Sequence, residues 1–241
     1  MREQEQPIHG RGFDNVAADA PVDERGRFIV RTYLHLVGAV FAFVAIEAVL
    51  LRTPLPEQMM RALAASRYSW LVVMAAFVGS GWLAQSLARS QASALVQYAG
   101  LALYVVAEAV IFIPLLFIAV HFATPDVLPT AALITLVLFG GLTGVVFITR
   151  KDFSFLRGIL GIATFAAIGV IVASILFGFT LGTIFSGAMV LLAGGYVLYR
   201  TSNVLHHYRT DQHVAAALEL FAAIALLFWY VLQIVLSRGR R

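Results

Sequence analysis

The chain has 241 residues, of which 61% are hydrophobic and only 12% are charged. Average soluble domains have roughly 45–50% apolar and about 25% charged residues. Too few polar residues are present to cover such an apolar chain in water, which excludes an ordinary soluble enzyme, a nucleic-acid-binding domain and a disordered chain. The composition predicts an all-α, polytopic integral membrane protein that lies in a lipid bilayer. Because the chain has no cysteine, structural disulfides and thiolate metal sites are excluded as well.

Residues 1–30 form a polar N-terminal segment with six acidic residues and four arginines. No apolar stretch near its start has the length of a signal-peptide core. Mixed charge and low hydrophobicity predict a flexible tail. The predicted organisation is a tail over 1–30, a transmembrane domain over 31–236 and a short basic tail over 237–241.

Seven apolar segments follow the tail, and each is long enough to cross a bilayer, which needs about 20 residues. They lie at about 31–51, 68–88, 95–121, 127–148, 157–179, 182–199 and 214–236. The fifth and sixth segments are almost contiguous, and Gly178 and Gly182 predict a tight hairpin between them. The pairs Gly140/Gly144 and Gly178/Gly182 have small-xxx-small spacing, which predicts helix packing within the bundle or, alternatively, between two copies.

Lysine and arginine residues divide unequally between the two sides of a seven-span chain. The side of the N-terminus has eleven and the other side has six. Cytoplasmic loops are enriched in these residues, which predicts a cytoplasmic N-terminus. A re-entrant last segment would bring the terminal arginines to the cytoplasmic side, but we expect a full crossing because 214–236 is apolar enough to span.

Three glutamates lie within the apolar segments, and they are Glu47, Glu108 and Glu219. A charged group at the bilayer centre costs roughly 2.5–3.5 kcal/mol on insertion scales, so each is a candidate ion or proton site. Glu47 and Glu219 are nearer to segment ends, where water or a partner can reach them. The alternative is a structural acid that is paired or protonated. For Glu108, the deepest of the three, we expect a neutral carboxyl that faces the bundle interior and is hydrogen-bonded to a neighbouring helix.

The connection between the sixth and seventh segments is the most polar cluster in the chain. It contains Arg200, Asn203, His206, His207, Arg209, Asp211 and His213. The histidine and aspartate residues suggest a metal site, but their spacing matches no established ligand pattern. We therefore predict a cytoplasmic loop with pH-sensitive charge at His206, His207, Asp211 and His213, and neither a metal nor a cofactor.

Catalysis has little support in the sequence. The chain has no Gly-x-Ser-x-Gly elbow, no His-Glu-x-x-His pair and no phosphate-binding glycine loop with its lysine. We predict that the protein is not an enzyme.

Four sets of residues carry a resemblance to a known family. They are 149–156 (TRKDFSFL), 199–206 (YRTSNVLH), 216–221 (AALELF) and the spaced set Ala131, Thr135 and Phe139. Over about 31–236 the chain resembles the Bax inhibitor-1 family in its bacterial YccA-like branch, and 149–156 is the most specific part. The resemblance implies seven transmembrane helices in a bacterial inner membrane, with the last helix wrapped by the other six.

The resemblance also implies two functions. Family members are linked to passive, pH-sensitive calcium leak, and the YccA-like branch is linked to binding and restraining the membrane-anchored AAA protease FtsH. The leak in the family depends on two aspartates, one on each of the last two helices, that share a proton because close like charges cannot both ionise. The corresponding positions here are Arg200 and Ala223, so the aspartate pair is missing. We therefore expect a modulator of FtsH first, and as the alternative a calcium or other cation leak or transporter that uses the remaining glutamates.

A replacement for the missing acid pair is predicted between the last two segments. Glu219 lies four residues, about one helical turn, before Ala223 and so shares its helix face. Arg200 ends the sixth segment on the same side of the membrane. We expect Arg200 and Glu219 to form a salt bridge that keeps Glu219 ionised and removes the near-neutral proton switch. The alternative is an Arg200 that faces lipid headgroups and an unpaired Glu219.

Overall fold

The computed structural model describes residues 16–66, 68–89 and 93–239. This part of the chain forms eight α-helices, which are α1 (Val22–Leu50), α2 (Leu55–Ala65), α3 (Ser69–Ala88), α4 (Ala94–Phe122), α5 (Val127–Thr149), α6 (Leu156–Phe177), α7 (Gly182–His206) and α8 (His213–Gly239). All except α2 are long and apolar enough to cross a membrane. The predicted all-helical architecture with seven spans is therefore confirmed.

Local sequence explains several helix ends. The Ser93 side chain accepts a hydrogen bond from the Val96 N–H at 3.3 Å and so caps the start of α4. Gly178 ends α6 at φ 76°, and Gly182 begins α7 at φ 67°. Both values lie in the left-handed region that glycine adopts without strain. The tight hairpin predicted between these two glycines is present.

Helix α8 lies at the centre of the bundle. It packs against α1, α3, α4, α5 and α7, while α6 packs on α7. A cluster of aromatic rings fills the interface of α8 with α1 and α4, where Phe112 lies 5.1 Å from Phe43 and 4.9 Å from Trp229 between ring centroids. Aromatic side chains bury large apolar areas and prefer such edge-to-face contacts. The central last helix predicted from the sequence is confirmed.

Several connections meet at one end of the bundle. The Ala17 N–H donates to the Tyr208 carbonyl at 2.8 Å, and the Phe153 N–H donates to the Ser202 hydroxyl at 2.8 Å. The first contact joins the segment before α1 to the α7–α8 connection. The second contact joins the α5–α6 connection to the end of α7. We call this end the N-terminal face, defined by Ala17, Arg89, Phe153 and Tyr208. The connections at this face are the ones that the count of positive residues places on the same side of the membrane as the N-terminus.

Some sequence-based boundaries are wrong. The flexible tail was expected to reach residue 30, but α1 begins at Val22, and Phe28 in its second turn is only 1% exposed. Asp23 and Glu24 lie in the first turn, where they interact favourably with the helix dipole, so this polar stretch continues the helix beyond its apolar part. Residues 1–15 of the expected tail lie outside the described residues. At the other end α8 runs to Gly239, and residues 240–241 of the expected basic tail also lie outside them.

Two further features differ from the expectations. The helix α2 was not predicted, because its eleven residues are too few to span a bilayer. The expected packing of Gly140 and Gly144 inside the bundle is also wrong, since a Cβ at either position would meet open space. Gly100 on α4, in contrast, lies in a tight backbone contact with α3. A Cβ there would lie 2.9 Å from the Ala84 carbonyl oxygen on α3.

Candidate functional site

Glu219 on α8 lies in a buried cluster of charges at the N-terminal face. Its side chain is 2% exposed, and its two carboxylate oxygens form ion pairs with Arg200 at the end of α7 and with Arg89 just after α3. The Arg200 side chain is 19% exposed and that of Arg89 is 54% exposed. The predicted pairing of Arg200 with Glu219 is thus present, and a second arginine joins it. Among the described residues, two guanidinium groups for one carboxylate leave one positive charge in excess.

Aromatic side chains surround this cluster. The Arg200 guanidinium lies 5.6 Å from the centroid of the Tyr196 ring and 5.7 Å from that of Tyr199, within range of cation–π attraction. Tyr208, in the α7–α8 connection, is buried beside the cluster. Burial raises the pKa of the Tyr208 hydroxyl far above its usual value, and the negative charge of Glu219 raises it further. Tyr208 therefore stays neutral, and the charges that the described residues contribute to this site come from the two arginines and Glu219.

Arg89 is the member of this charge cluster that the sequence analysis missed. Burial lowers the pKa of its guanidinium, but the contact with Glu219 outweighs burial and raises the pKa overall, so that Arg89 is charged. The sequence signal for it was its position, because it directly follows the second apolar segment on the side that carries the excess of positive residues. The approach of α3 to α8 that brings Arg89 to Glu219 has no signature in the local sequence.

A cavity of about 670 Å³ extends from this cluster into the bundle. Its lining comes from α3, α4, α6, α7 and α8, and Arg200 and Glu219 lie at the end near the N-terminal face. Trp70 and Gln233 lie at the other end, on the opposite side of the membrane domain. Glu219 and Gln233 are fourteen residues apart on α8, which is about 21 Å at 1.5 Å per residue. The cavity therefore reaches along most of the apolar thickness of about 30 Å.

Glu108 lines this cavity partway along α4. Its side chain is 1% exposed, so the expectation that it faces the bundle interior is correct. The expected hydrogen bond to a neighbouring helix is not found among the described residues. Tyr104, four residues earlier on the same helix, is the polar side chain that interacts with it. Helix periodicity explains this, since residues four apart share one face.

Glu47 is buried as well, although it was expected to be reached by water or a partner near the end of its segment. It is 4% exposed on α1, and among the described residues neither of its carboxyl oxygens has a hydrogen-bond partner. Unlike Glu108 and Glu219 it does not line the cavity. Among the described residues, the three candidate glutamates therefore divide into one ion-paired acid and two acids without an ion pair.

The candidate pH-sensitive residues are not brought into one cluster. His206 contacts the Ser202 carbonyl oxygen through Nδ1 at 3.0 Å, within its own helix. His207 contacts Asp152 at 3.1 Å, and Asp152 also accepts a hydrogen bond from the Ser154 N–H at 2.8 Å. Burial acts to raise the pKa of Asp152, but these two partners outweigh it and hold the pKa below its usual value. The pair therefore fixes the α5–α6 connection to the end of α7.

The other two members of the set lie elsewhere on the N-terminal face. Asp211 forms an ion pair with Arg209 at 2.7 Å. His213 opens α8 with its ring 5.0 Å from that of His35 on α1, and His35 in turn contacts the Tyr98 hydroxyl at 2.9 Å. Over the ranges that the structure describes, no three His, Cys, Asp or Glu side chains come close enough together to hold a metal ion.

Comparisons with known proteins place the whole membrane domain in one group. The model of a family described as "Inhibitor of apoptosis-promoting Bax1" matches residues 25–240. Over 122 residues the chain is 31% identical to Bax inhibitor 1 of Schizosaccharomyces pombe. The matched stretch covers 48% of this chain and 45% of that protein. It is 33% identical over 112 residues to a BI1-like protein of Arabidopsis thaliana, covering 44% of this chain and 43% of the relative.

A bacterial relative is similar at the same level. An uncharacterized protein of Pseudomonas aeruginosa is 33% identical over 110 residues, which is 45% of this chain and 49% of the relative. The chain thus spans about half the length of the curated relatives that it matches. No solved structure gives a significant match.

Proposed function

Because the chain belongs to the Bax inhibitor-1 family of membrane proteins, we propose that it is a non-enzymatic cation leak whose path is the internal cavity. The observation that carries the proposal is the position of Glu219, Arg200 and Arg89 at the end of a cavity that runs along α8. In this proposal the cluster closes the path at the N-terminal face. Calcium is the cation that the family resemblance suggests.

The charges explain why the path would be closed at rest. At this end of the cavity, the one positive charge in excess repels a cation that approaches the N-terminal face, and the repulsion is strong where water is scarce. A pair of carboxylic acids could lose this barrier by exchanging a proton near neutral pH, but a carboxylate held by two guanidinium groups stays ionised. Opening therefore requires the ion pairs to separate, and we expect a slow leak that changes little with pH around neutrality.

The experiment is calcium flux into liposomes that contain the purified protein and an internal calcium-sensitive dye. We expect slow flux with the natural sequence and several-fold faster flux when Arg89→Gln and Arg200→Gln are combined, since that variant leaves a negative end to the path. The matched control is Arg52→Gln, which removes an exposed arginine at the opposite end of α1. Flux no greater than in protein-free liposomes for both the natural chain and the double variant would refute the proposal.

A second proposal, modulation of the protease FtsH, has its support in the N-terminal segment. That segment is polar, precedes α1 and would lie in the cytoplasm by the distribution of positive residues. It has the properties of a handle that a processive cytoplasmic protease could grip. Co-purification of the full chain with the protease, compared with a variant that lacks residues 1–15, is the test. The shortened variant should insert normally, lose the protease and persist longer in cells, and an unchanged lifetime would contradict the idea.

We further propose that the protein lies in a bacterial inner membrane with its N-terminus in the cytoplasm. The chain has no cysteine, so a single cysteine introduced at Asn15 reports on topology without background. A membrane-impermeant maleimide should label it only after the cells are opened. Labelling in intact cells would show that the N-terminus lies outside the cytoplasm.

A further inference from the structure

Glu108 is the one carboxyl of the cavity lining that has no cation among the described residues. Glu219 and Arg200 also line the cavity, but they pair with each other. Glu108 is buried, no side chain of another helix in the described ranges pairs with its carboxyl group, and Tyr104 on the same helix is its polar neighbour. An ionised carboxylate in such surroundings is costly unless a positive charge lies near it. A bound cation would supply that charge.

The rest of the lining indicates what kind of cation fits. All three tryptophans of the chain, Trp70, Trp82 and Trp229, line the cavity, and Phe112 lies beside Glu108 one helical turn further along α4. A stably bound calcium ion takes six to eight oxygen ligands, which this mainly apolar part of the cavity does not supply, so calcium would pass this point without being held there. Aromatic faces attract organic cations, and apolar walls favour a cation whose charge is shielded by hydrocarbon.

We propose that the cavity is a binding site for a lipophilic organic cation and that Glu108 is its counter-ion. The volume of about 670 Å³ lies within the range of roughly 300–1,000 Å³ that is usual for small-molecule sites. Both carboxyl oxygens of Glu108 are covered in the structure, so binding includes a rotation of this side chain toward the cavity. The site does not depend on conduction, and it can bind a cation whether or not calcium passes through the protein.

The probe is tetraphenylphosphonium, a lipophilic monocation, added to the purified full-length protein in nonionic detergent at neutral pH. Equilibrium dialysis of the radiolabelled cation measures binding, and quenching of the three tryptophans reports on its place in the cavity. We expect saturable binding at one site per chain that weakens as the pH falls, because protons compete for Glu108. Triphenylphosphine oxide, a neutral molecule of similar shape, should bind at least tenfold more weakly.

Two glutamate variants provide the decisive comparison. Glu108→Gln keeps the shape of the side chain and should lower the affinity at least tenfold. Glu47→Gln removes a second buried, isolated carboxyl outside the cavity lining and should leave the affinity unchanged. If Glu108→Gln fails to give a monodisperse protein, Ala222→Phe, which fills the cavity from α8, should abolish binding instead.

The proposal is overturned if folded Glu108→Gln binds the cation as well as the natural chain does. It is also overturned if the neutral analogue binds equally tightly or if Glu47→Gln has the larger effect. Calcium flux in liposomes is a separate measurement, so a failure of the proposed leak and a failure of this site are distinguishable.

Discussion

Arg200 on α7 and Glu219 on α8 form an ion pair at the end of the cavity, and Arg89 contacts the other oxygen of the same carboxylate. The three groups differ in burial, with Glu219 almost fully buried, Arg200 mostly buried and Arg89 half exposed. Since removal of one partner harms stability most when it leaves a buried charge alone, burial sets the order in which the three residues matter.

The first prediction is the order in which substitutions of Glu219, Arg200 and Arg89 destabilise the protein. Glu219→Gln leaves the buried Arg200 without a counter-charge and should lower the free energy of unfolding by about 3–5 kcal/mol. Arg200→Gln should cost less, because Arg89 still neutralises Glu219. Arg89→Gln should cost about 0–1 kcal/mol, as is usual for an exposed pair. The measurement is the fraction of monodisperse protein after heating in detergent, and a larger effect of Arg89→Gln than of Glu219→Gln would contradict the assigned burial.

The second prediction concerns the α5–α6 connection in acid. The pKa of Asp152 is held below its usual value, so the stability it contributes is present above about pH 3.9, its usual unfolded value, and is lost as the pH falls through the lower folded value. The protection of the amides of 151–156 against hydrogen exchange, relative to an unfolded peptide at the same pH, should therefore fall only in that acid range. Asp152→Asn should give fast exchange already at neutral pH, because the amide is a weaker partner for His207. Asp126→Asn, before α5, is the control and should leave exchange over 151–156 unchanged.

The sequence predicted the spans because apolar length alone determines which segments can cross a bilayer. It missed the start of α1, since the charged residues Asp23 and Glu24 indicate a solvated segment as readily as a first helical turn. It missed α2 because no length rule applies to a helix that does not span. Both errors lie where the chain leaves the apolar region, and there the physical constraint that makes membrane helices predictable no longer acts.

The site was predictable only in part. The pairing of Arg200 with Glu219 follows from two positions near the same ends of consecutive spans. Arg89 could not be found in this way, because α3 and α8 are far apart in the chain and their contact depends on packing. That Glu108 has no partner on another helix in the described part of the chain was also beyond the sequence, since it depends on every helix around this side chain.

The third prediction concerns the contact of α3 with α4 at Gly100. A Cβ at this position would lie 2.8 Å from the Ala88 nitrogen and 2.9 Å from the Ala84 carbonyl oxygen, so the two backbones must separate. Gly100→Ala should lower the free energy of unfolding by about 1–3 kcal/mol, as overpacking does. Gly79→Ala is the matched control, since a Cβ there meets open space. Equal thermal stability of the two variants would show that the helices do not approach this closely.

The fourth prediction concerns the segment that precedes α1. Ala17 is fully buried, and its N–H donates to the Tyr208 carbonyl next to the charge cluster. Ala17→Asp buries an unpaired charge and should cost at least about 1–3 kcal/mol or detach the segment from the α7–α8 connection. Ala18→Asp, at an exposed neighbouring position, is the control. Hydrogen exchange over 207–211 should rise in the first variant and not in the second, and equal exchange in both would show that the segment does not fix this connection.

The fifth prediction is the outcome of exchanging the charges of the ion pair. Arg200→Glu places two carboxylates beside one guanidinium, and Glu219→Arg places three guanidinium groups together, so each should destabilise the protein by several kcal/mol. The double exchange restores the pair between α7 and α8, but it also puts the new arginine at 219 against Arg89. Stability should therefore recover only in part. Adding Arg89→Gln to the double exchange removes this repulsion and should bring the recovery closer to completion.

The coupling is obtained from a double-mutant cycle of thermal unfolding in detergent. Additive damage in the double exchange, with no gain from Arg89→Gln, would show that the three side chains do not share one site.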